Sequence, residues 1–253
     1  MDLKTTYGYM RAYRQPIKVL KYTFLERFPF TAELWNGLEV EIKSKRHAWF
    51  YSTLYNLYLV RVDDEFIQLR YGDKVLKFHY DINGPAAFGE IFRDRVYDVD
   101  VKGKTVVDVG AGVGDSSIFF AVKGAKKVYA FDVETNYLER NVKENGLEEV
   151  IEPIRCECEL SNNLDVITLK YNIPQGSVLK VDCEGCEYGF LTSHRTLKRY
   201  STVIVECHDG TQDIQETLQK AGFRTTVKRK LIYAMTPETS GNPRQRGGGQ
   251  ISH

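Results

Sequence analysis

Residues 105–115, running Thr-Val-Val-Asp-Val-Gly-Ala-Gly-Val-Gly-Asp, constrain the chain more tightly than any other stretch. A β-branched apolar run ends in three glycines at alternate positions, and a helical pattern starts directly after them. Such glycines let the backbone turn tightly and approach a ligand that a Cβ would hold away. In an open α/β sheet this turn lies at the carboxyl ends of the strands, where ligands bind. The spacing is G-x-G-x-G, whereas the dinucleotide fingerprint is G-x-G-x-x-G. Asp108, two residues before Gly110, would repel a pyrophosphate but suits an ammonium, directly or through water. Asp132 follows an apolar run at 128–131, eighteen residues after Gly114. A carboxylate there can accept hydrogen bonds from both ribose hydroxyls, with Glu134 a weaker stand-in. The expected ligand is a nucleoside bearing an ammonium, not a diphosphate.

The pattern continues downstream. Apolar runs at 150–156, 177–181 and 202–205 are interleaved with helical stretches such as 116–122, 137–145 and 214–221. Strands alternating with helices predict an α/β fold, a doubly wound parallel sheet covered on both faces. Runs at 224–228 and 231–235, split by Arg229-Lys230, predict a closing antiparallel pair. Residues 1–98 read differently, as an α+β accessory region. Ile17, Leu20, Phe24, Leu25 and Phe28 fall at helical spacing with Lys18, Lys21 and Arg27 between them, which predicts a helix covering a core with its apolar face. Alternating residues at 38–42 and 67–71 predict strands, and Gly72-Asp73 a hairpin turn into 75–80. The expected organisation is thus 1–98, a main domain at 99–236, and a flexible tail at 237–253.

A net charge of +1 gives no global case for nucleic acid or an acidic membrane surface. No apolar stretch is long enough to span a bilayer, and the N-terminus lacks a signal-peptide layout, so a cytoplasmic protein is expected. Five cysteines, four of them as Cys156/Cys158 and Cys183/Cys186, make a poor disulfide framework and predict free, unreactive thiols.

The order Asp108-x-Gly110-x-Gly112-x-Gly114, then Asp132, resembles motifs I and II of class I methyltransferases. The resemblance implies S-adenosylmethionine as cofactor and a seven-stranded Rossmann-like methyltransferase sheet whose last strand is antiparallel. It also implies that Ala111, Asp115 and Val133 join the cofactor site, and that Cys158, Glu159 and Leu160 flank adenine. The stretch Asp182-Cys183-Glu184-Gly185-Cys186-Glu187 resembles the D-x-E-G-x-E signature of the FkbM methyltransferases, and the match extends over roughly 88–235. That likeness implies O-methylation of a hydroxyl on a small molecule, sugar or glycan, with nucleic acid an unlikely partner. Displacement at a methyl sulfonium needs the acceptor oriented and its proton taken. Asp182 is the first candidate for that role, with Glu184 and His208 behind it. Glu184 and Glu187 could instead cap the following helix. Asp182, Glu206, His208 and Asp209 could chelate Mg2+, but the resemblance requires no metal and none is expected. Two alternatives stand beside this reading. One is an RNA-directed methyltransferase using Lys18, Lys21, Arg27 and the basic residues of 43–46; the other is a non-catalytic nucleoside-binding protein.

Overall fold

A computed structural model of the chain describes residues 3–63, 65–80, 87–156, 164–191 and 193–237. In chain order the accessory region contains α1 (Leu3–Ala12), α2 (Pro16–Phe24), β1 (Phe30–Glu33), β2 (Glu39–Ile42), α3 (Lys45–Thr53), β3 (Leu59–Val62), β4 (Phe66–Tyr71) and β5 (Lys74–His79). A π-helical turn, Gly89–Arg93, leads into β6 (Thr105–Val109), α4 (Asp115–Val122), β7 (Lys127–Asp132), α5 (Asn136–Glu144), β8 (Ile151–Arg155) and α6 (Leu164–Lys170). The chain closes through β9 (Ser177–Val181), α7 (Glu187–Phe190), α8 (His194–Leu197), β10 (Tyr200–Glu206), α9 (Gln212–Lys220), β11 (Arg224–Lys228) and β12 (Leu231–Met235).

Seven of these strands form one sheet in the order β11-β12-β10-β9-β6-β7-β8. Pairings from β8 to β10 are parallel, and β12 lies antiparallel to both β10 and β11. The expected doubly wound sheet with an antiparallel last strand is therefore present. Every residue of β6 and β9 is buried, as central parallel strands covered on both faces require. The order reverses between β6 and β9, which opens a crevice above their carboxyl ends.

The accessory region adds a two-stranded sheet, β1-β2, and a three-stranded sheet, β3-β4-β5. Its core is continuous with the main sheet: Tyr71 packs against Phe92 and Phe119, and Phe78 against Phe88 and Phe92. On the edge of β5, one side chain from α5 and one from its C-terminal cap stand in for a strand partner. Asn141 accepts from the His79 N–H at 2.6 Å and donates to its carbonyl at 2.9 Å, while Asn145 does the same for Lys77 at 2.9 and 2.7 Å.

Two expectations are corrected. The helix expected over 17–28 ends at Phe24; its buried residues are Val19 and Thr23, and of the expected apolar face Leu20 packs partly buried against the core. Ile17 and Phe24 are 75% and 73% exposed, because α2 packs on α1 and α3 by the neighbouring face. Cys183 and Cys186 are joined in a disulfide, not free: Glu184 and Gly185, both at positive φ, fold the loop so that the two Cα atoms lie 5.4 Å apart. Cys207 is a free, buried thiol, as expected, and Cys156 is buried. The expected flexible tail beyond residue 237 lies outside the described residues. No described helix is long and apolar enough to cross a membrane.

Candidate active site

The glycine turn after β6 meets the end of β9. A Cβ on Gly110 would overlap the Asp182 carbonyl, so the close approach of the two strand ends demands glycine. Gly112, at φ 54°, has open space where its Cβ would stand, and its N–H donates to Asp132 at 2.7 Å. These residues border a cavity of about 420 Å³ together with Ala111, Asp115, Val133, Lys180, Asp182, Glu184 and Glu206. The wall opposite is the segment carrying Glu90, Ile91, Val96 and Tyr97. Gly114 packs toward Leu138, away from this wall.

Asp108 is in the site's foundation and not on its surface. It is fully buried, accepts from the Ser116 and Ser117 hydroxyls at 2.6 Å each, and lies 3.1 Å from the Lys180 ammonium. A carboxylate so enclosed reaches an ammonium ligand only through its neighbours. Asp115 is buried as well, but it takes the place nearer the ligand. It lines the cavity, one of its oxygens has no hydrogen-bond partner, and desolvation pushes its carboxyl up to about 6. The orphaned oxygen on one side, the open face of Gly112 and the Asp132 carboxylate on the other match the parts of a nucleoside that carries an amino acid.

Lys180 is the central group that motif reading missed. It is buried in β9, donates to the Gly110 carbonyl at 2.6 Å, and lies 3.9 Å from Asp182. Desolvation works to lower its ammonium, but Asp108 and Asp182 outweigh that and hold it above its ordinary value. A lysine inside the run Val178-Leu179-Lys180-Val181 is the signal that could have found it, since an unpaired buried charge is too costly to keep. Tyr97 was also missed as a site residue: its hydroxyl donates to Asp182 at 3.0 Å, and desolvation, with Asp182 beside it, pushes its phenol well above the usual range.

The three residues expected to act in catalysis converge without forming one hydrogen-bonded unit. His208 Nε2 lies 3.8 Å from Asp182 and 3.5 Å from Glu184, while Nδ1 lies 3.1 Å from Glu187. Desolvation works against the imidazolium, but the bond to Glu187 and the nearby carboxylates outweigh it and raise the His208 pKa. Glu187 is fully buried and accepts from the N–H groups of Gly185 and His208 at 2.8 and 3.1 Å, so it organises the loop. Glu184 is mostly exposed at the cavity mouth. Burial raises the Glu206 carboxyl, and Asp182 and Glu90 add to the effect. Ligand atoms of Asp182, Glu206 and His208 lie within 4.8 Å of one another and could hold a divalent ion. Cys158, Glu159 and Leu160, expected at the adenine, lie outside the described residues.

Residues 85–173, which include the glycine turn and Asp132, match the TRM5/TYW2 methyltransferase domain. With the sheet order and the site, this defines a class I S-adenosylmethionine-dependent methyltransferase, and S-adenosylmethionine is its cofactor. More closely, the chain belongs to the family of uncharacterized protein 158B of Sulfolobus islandicus rod-shaped virus 1. The two are 31% identical over 142 residues, which is 53% of this chain and 83% of the viral protein. Protein arginine N-methyltransferase 6 of Danio rerio is 40% identical over 76 residues, 28% of this chain and 22% of that one. Among solved structures, the M. jannaschii tRNA m1G37 methyltransferase aligns at 18% identity and a TM-score of 0.45 over 69% of this chain and 56% of that chain. The chain thus spans little more than half the length of that enzyme.

These matches correct one expectation. A small-molecule or glycan hydroxyl acceptor, with nucleic acid unlikely, gives way to the TRM5/TYW2 domain match over residues 85–173; aTrm5 has been solved in complex with tRNALeu. The near-neutral charge misled because it averages over the chain, while a nucleic-acid site needs only a local excess of cations. The FkbM assignment, read from the 182–187 signature and the wider likeness over roughly 88–235, is no part of what these matches carry.

Proposed function

We propose that the chain methylates a nitrogen of an RNA base. The observation that carries this reading is the TRM5/TYW2 match over 85–173, the segment that holds the glycine turn and one wall of the cavity. The chemistry of the other wall supports it. Asp182, Glu206 and Glu90 gather carboxylates on the side away from Asp132, and carboxylates there suit the N–H donors of a base edge. When bound, S-adenosylmethionine supplies an electrophilic methyl on a sulfonium. Asp182, held by Tyr97 and steadied by Lys180, orients the acceptor by accepting its N–H. Glu206, its carboxyl raised by burial, takes the proton. A relation to the FkbM family stays within this proposal as an account of the 182–187 loop.

A second reading, methylation of a protein arginine, is favoured by the local identity to arginine methyltransferases and by the same carboxylates, which would also receive a guanidinium. One experiment separates them. Protein shown by calorimetry to bind S-adenosylhomocysteine, with Asp132→Ala as the non-binding control, is given methyl-labelled cofactor with a tRNA transcript or an arginine-rich peptide. Label in RNA supports the proposal, label only in peptide replaces it with the second reading, and label in neither rejects both.

A further inference from the structure

Behind the wall of the cofactor cavity lies a second cleft, of about 610 Å³, in the accessory region. The segment 90–97 divides the two: Glu90, Ile91, Val96 and Tyr97 face the cofactor, while Phe92, Arg93 and Arg95 face the cleft. The two sides have opposite charge. Six carboxylates, those of Glu90, Asp115, Asp132, Asp182, Glu184 and Glu206, meet one lysine around the cofactor cavity. Arg70, Arg93 and Arg95 line the cleft, and no carboxylate among the described residues does.

The three arginines are not equivalent. Arg93 is committed to the carbonyls of Thr53 and Tyr55 and to Asp94, so it shapes the cleft floor. Arg95 is exposed, with Asp98 at 3.9 Å, too far for a hydrogen bond. Arg70 is exposed and has no side-chain partner among the described residues. Around them stand aromatic side chains: Tyr58 is 74% exposed, Tyr71 is half-buried, and Trp35 carries a buried indole N–H with no hydrogen-bond partner. Exposed guanidinium groups beside aromatic faces and an unsatisfied donor recognise an anion attached to a flat ring.

We propose that this cleft binds a nucleotide of single-stranded RNA next to the target base, with its phosphate on Arg70 and Arg95 and its base on Tyr58 or Tyr71. The inference rests on the RNA reading above and gives it a path: the anionic backbone stays on the basic side of the 90–97 wall while a base edge enters the acidic side. It also moves the RNA contact away from the basic helix. There Lys18 donates to the Thr31 carbonyl, and in the neighbouring 43–46 cluster Lys45 pairs with Glu26.

The test is fluorescence anisotropy of a labelled single-stranded RNA with the full chain across a salt series, for wild type, Arg70→Glu, Arg95→Asn and the charge-matched control Lys220→Glu. Asparagine is chosen at 95 because that residue sits at φ 53°. Binding should weaken at least tenfold in Arg70→Glu, with the slope of log K against log salt falling by about one per lost phosphate contact. Arg95→Asn should weaken it too, while Lys220→Glu stays within twofold and all variants keep wild-type affinity for S-adenosylhomocysteine. Absence of RNA binding at about 100 μM protein, the weak end of the usual non-specific range, would overturn the inference. So would equal losses in Arg70→Glu and Lys220→Glu, or unlabelled guanosine monophosphate competing as well as RNA does. RNA bound through Arg70 but never methylated would sink the enzymatic reading and leave the cleft; RNA methylated equally well by Arg70→Glu would do the reverse.

Discussion

Asp115 is a place where the protein gives up stability for a site. Its carboxyl has been raised from 3.8 to about 6 by desolvation, so above pH 6 the fold holds a charge it disfavours. The cost is about 3 kcal/mol, from roughly two pK units at 1.36 kcal/mol each. The sign follows from linkage: between pH 3.8 and 6 the folded chain holds a proton that the unfolded chain has lost, so this contribution to stability falls as pH rises and is gone above 6. Lys180, Asp108 and Asp182 bear on the same carboxyl, the first lowering its pKa and the two acids raising it. Asp115→Asn should therefore raise urea-measured stability of the ligand-free protein by about 1–3 kcal/mol at pH 7.5, with little gain at pH 4. It should weaken S-adenosylhomocysteine at least tenfold if this carboxylate receives the ligand's ammonium. A variant that is no more stable at pH 7.5, yet binds as wild type does, would remove Asp115 from the site.

The loop from β9 to α7 places most of the acceptor-side groups, and its covalent tie sets how rigidly it does so. Cys183 and Cys186 close a ring between Asp182 on the cavity wall and Glu187, which holds His208. So short a ring removes little unfolded-state entropy, about 2 kcal/mol on the loop-closure estimate. Alkylation of the unfolded chain should therefore label the 183–186 peptide only after reduction, and Cys183→Ser/Cys186→Ser should lower stability by about 2 kcal/mol. Mass spectrometry showing both thiols alkylated without reductant would rule the bond out. Nothing in the sequence signalled this pairing, because spacing alone leaves thiol, metal and disulfide readings open. The strand–glycine–helix unit at 105–122 and the 224–235 hairpin were legible, since each combines periodicity with a turn that permits few alternatives. Helix α3 was not. Its sequence, Lys-Arg-His-Ala-Trp-Phe-Tyr-Ser-Thr, buries His47, Ala48, Phe50 and Tyr51 around an aromatic contact that no simple apolar stripe encodes. Lys180 was hidden for a related reason: its partners, Asp108 and the Gly110 carbonyl, lie some seventy residues away. Pattern reading recovers what neighbours along the chain decide and loses what distant packing decides.

Asn141 joins the two halves of the chain through one side chain. Its amide pairs with both backbone groups of His79 on β5 and also donates to the Val113 carbonyl in the glycine turn at 2.8 Å. The accessory region is thereby tied to the loop that borders the cofactor cavity, and the shared aromatic core of Tyr71, Phe78, Phe92 and Phe119 continues the tie. A second link runs from β12, next to the edge of the sheet, where the Tyr233 hydroxyl donates to the Val96 carbonyl at 2.7 Å and so pins the wall between cavity and cleft. A unit joined in this way has no interface along which to separate, so urea should unfold it in one transition, with near- and far-ultraviolet circular dichroism coincident. Asn141→Ala leaves the His79 N–H and two carbonyls without partners in a buried setting, and should cost about 2–4 kcal/mol. Because the same change frees Val113, S-adenosylhomocysteine affinity should fall with stability, although Asn141 is absent from the cavity lining. Two resolved transitions, with Asn141→Ala shifting only the first and leaving ligand affinity intact, would show that the accessory region folds and acts apart from the sheet.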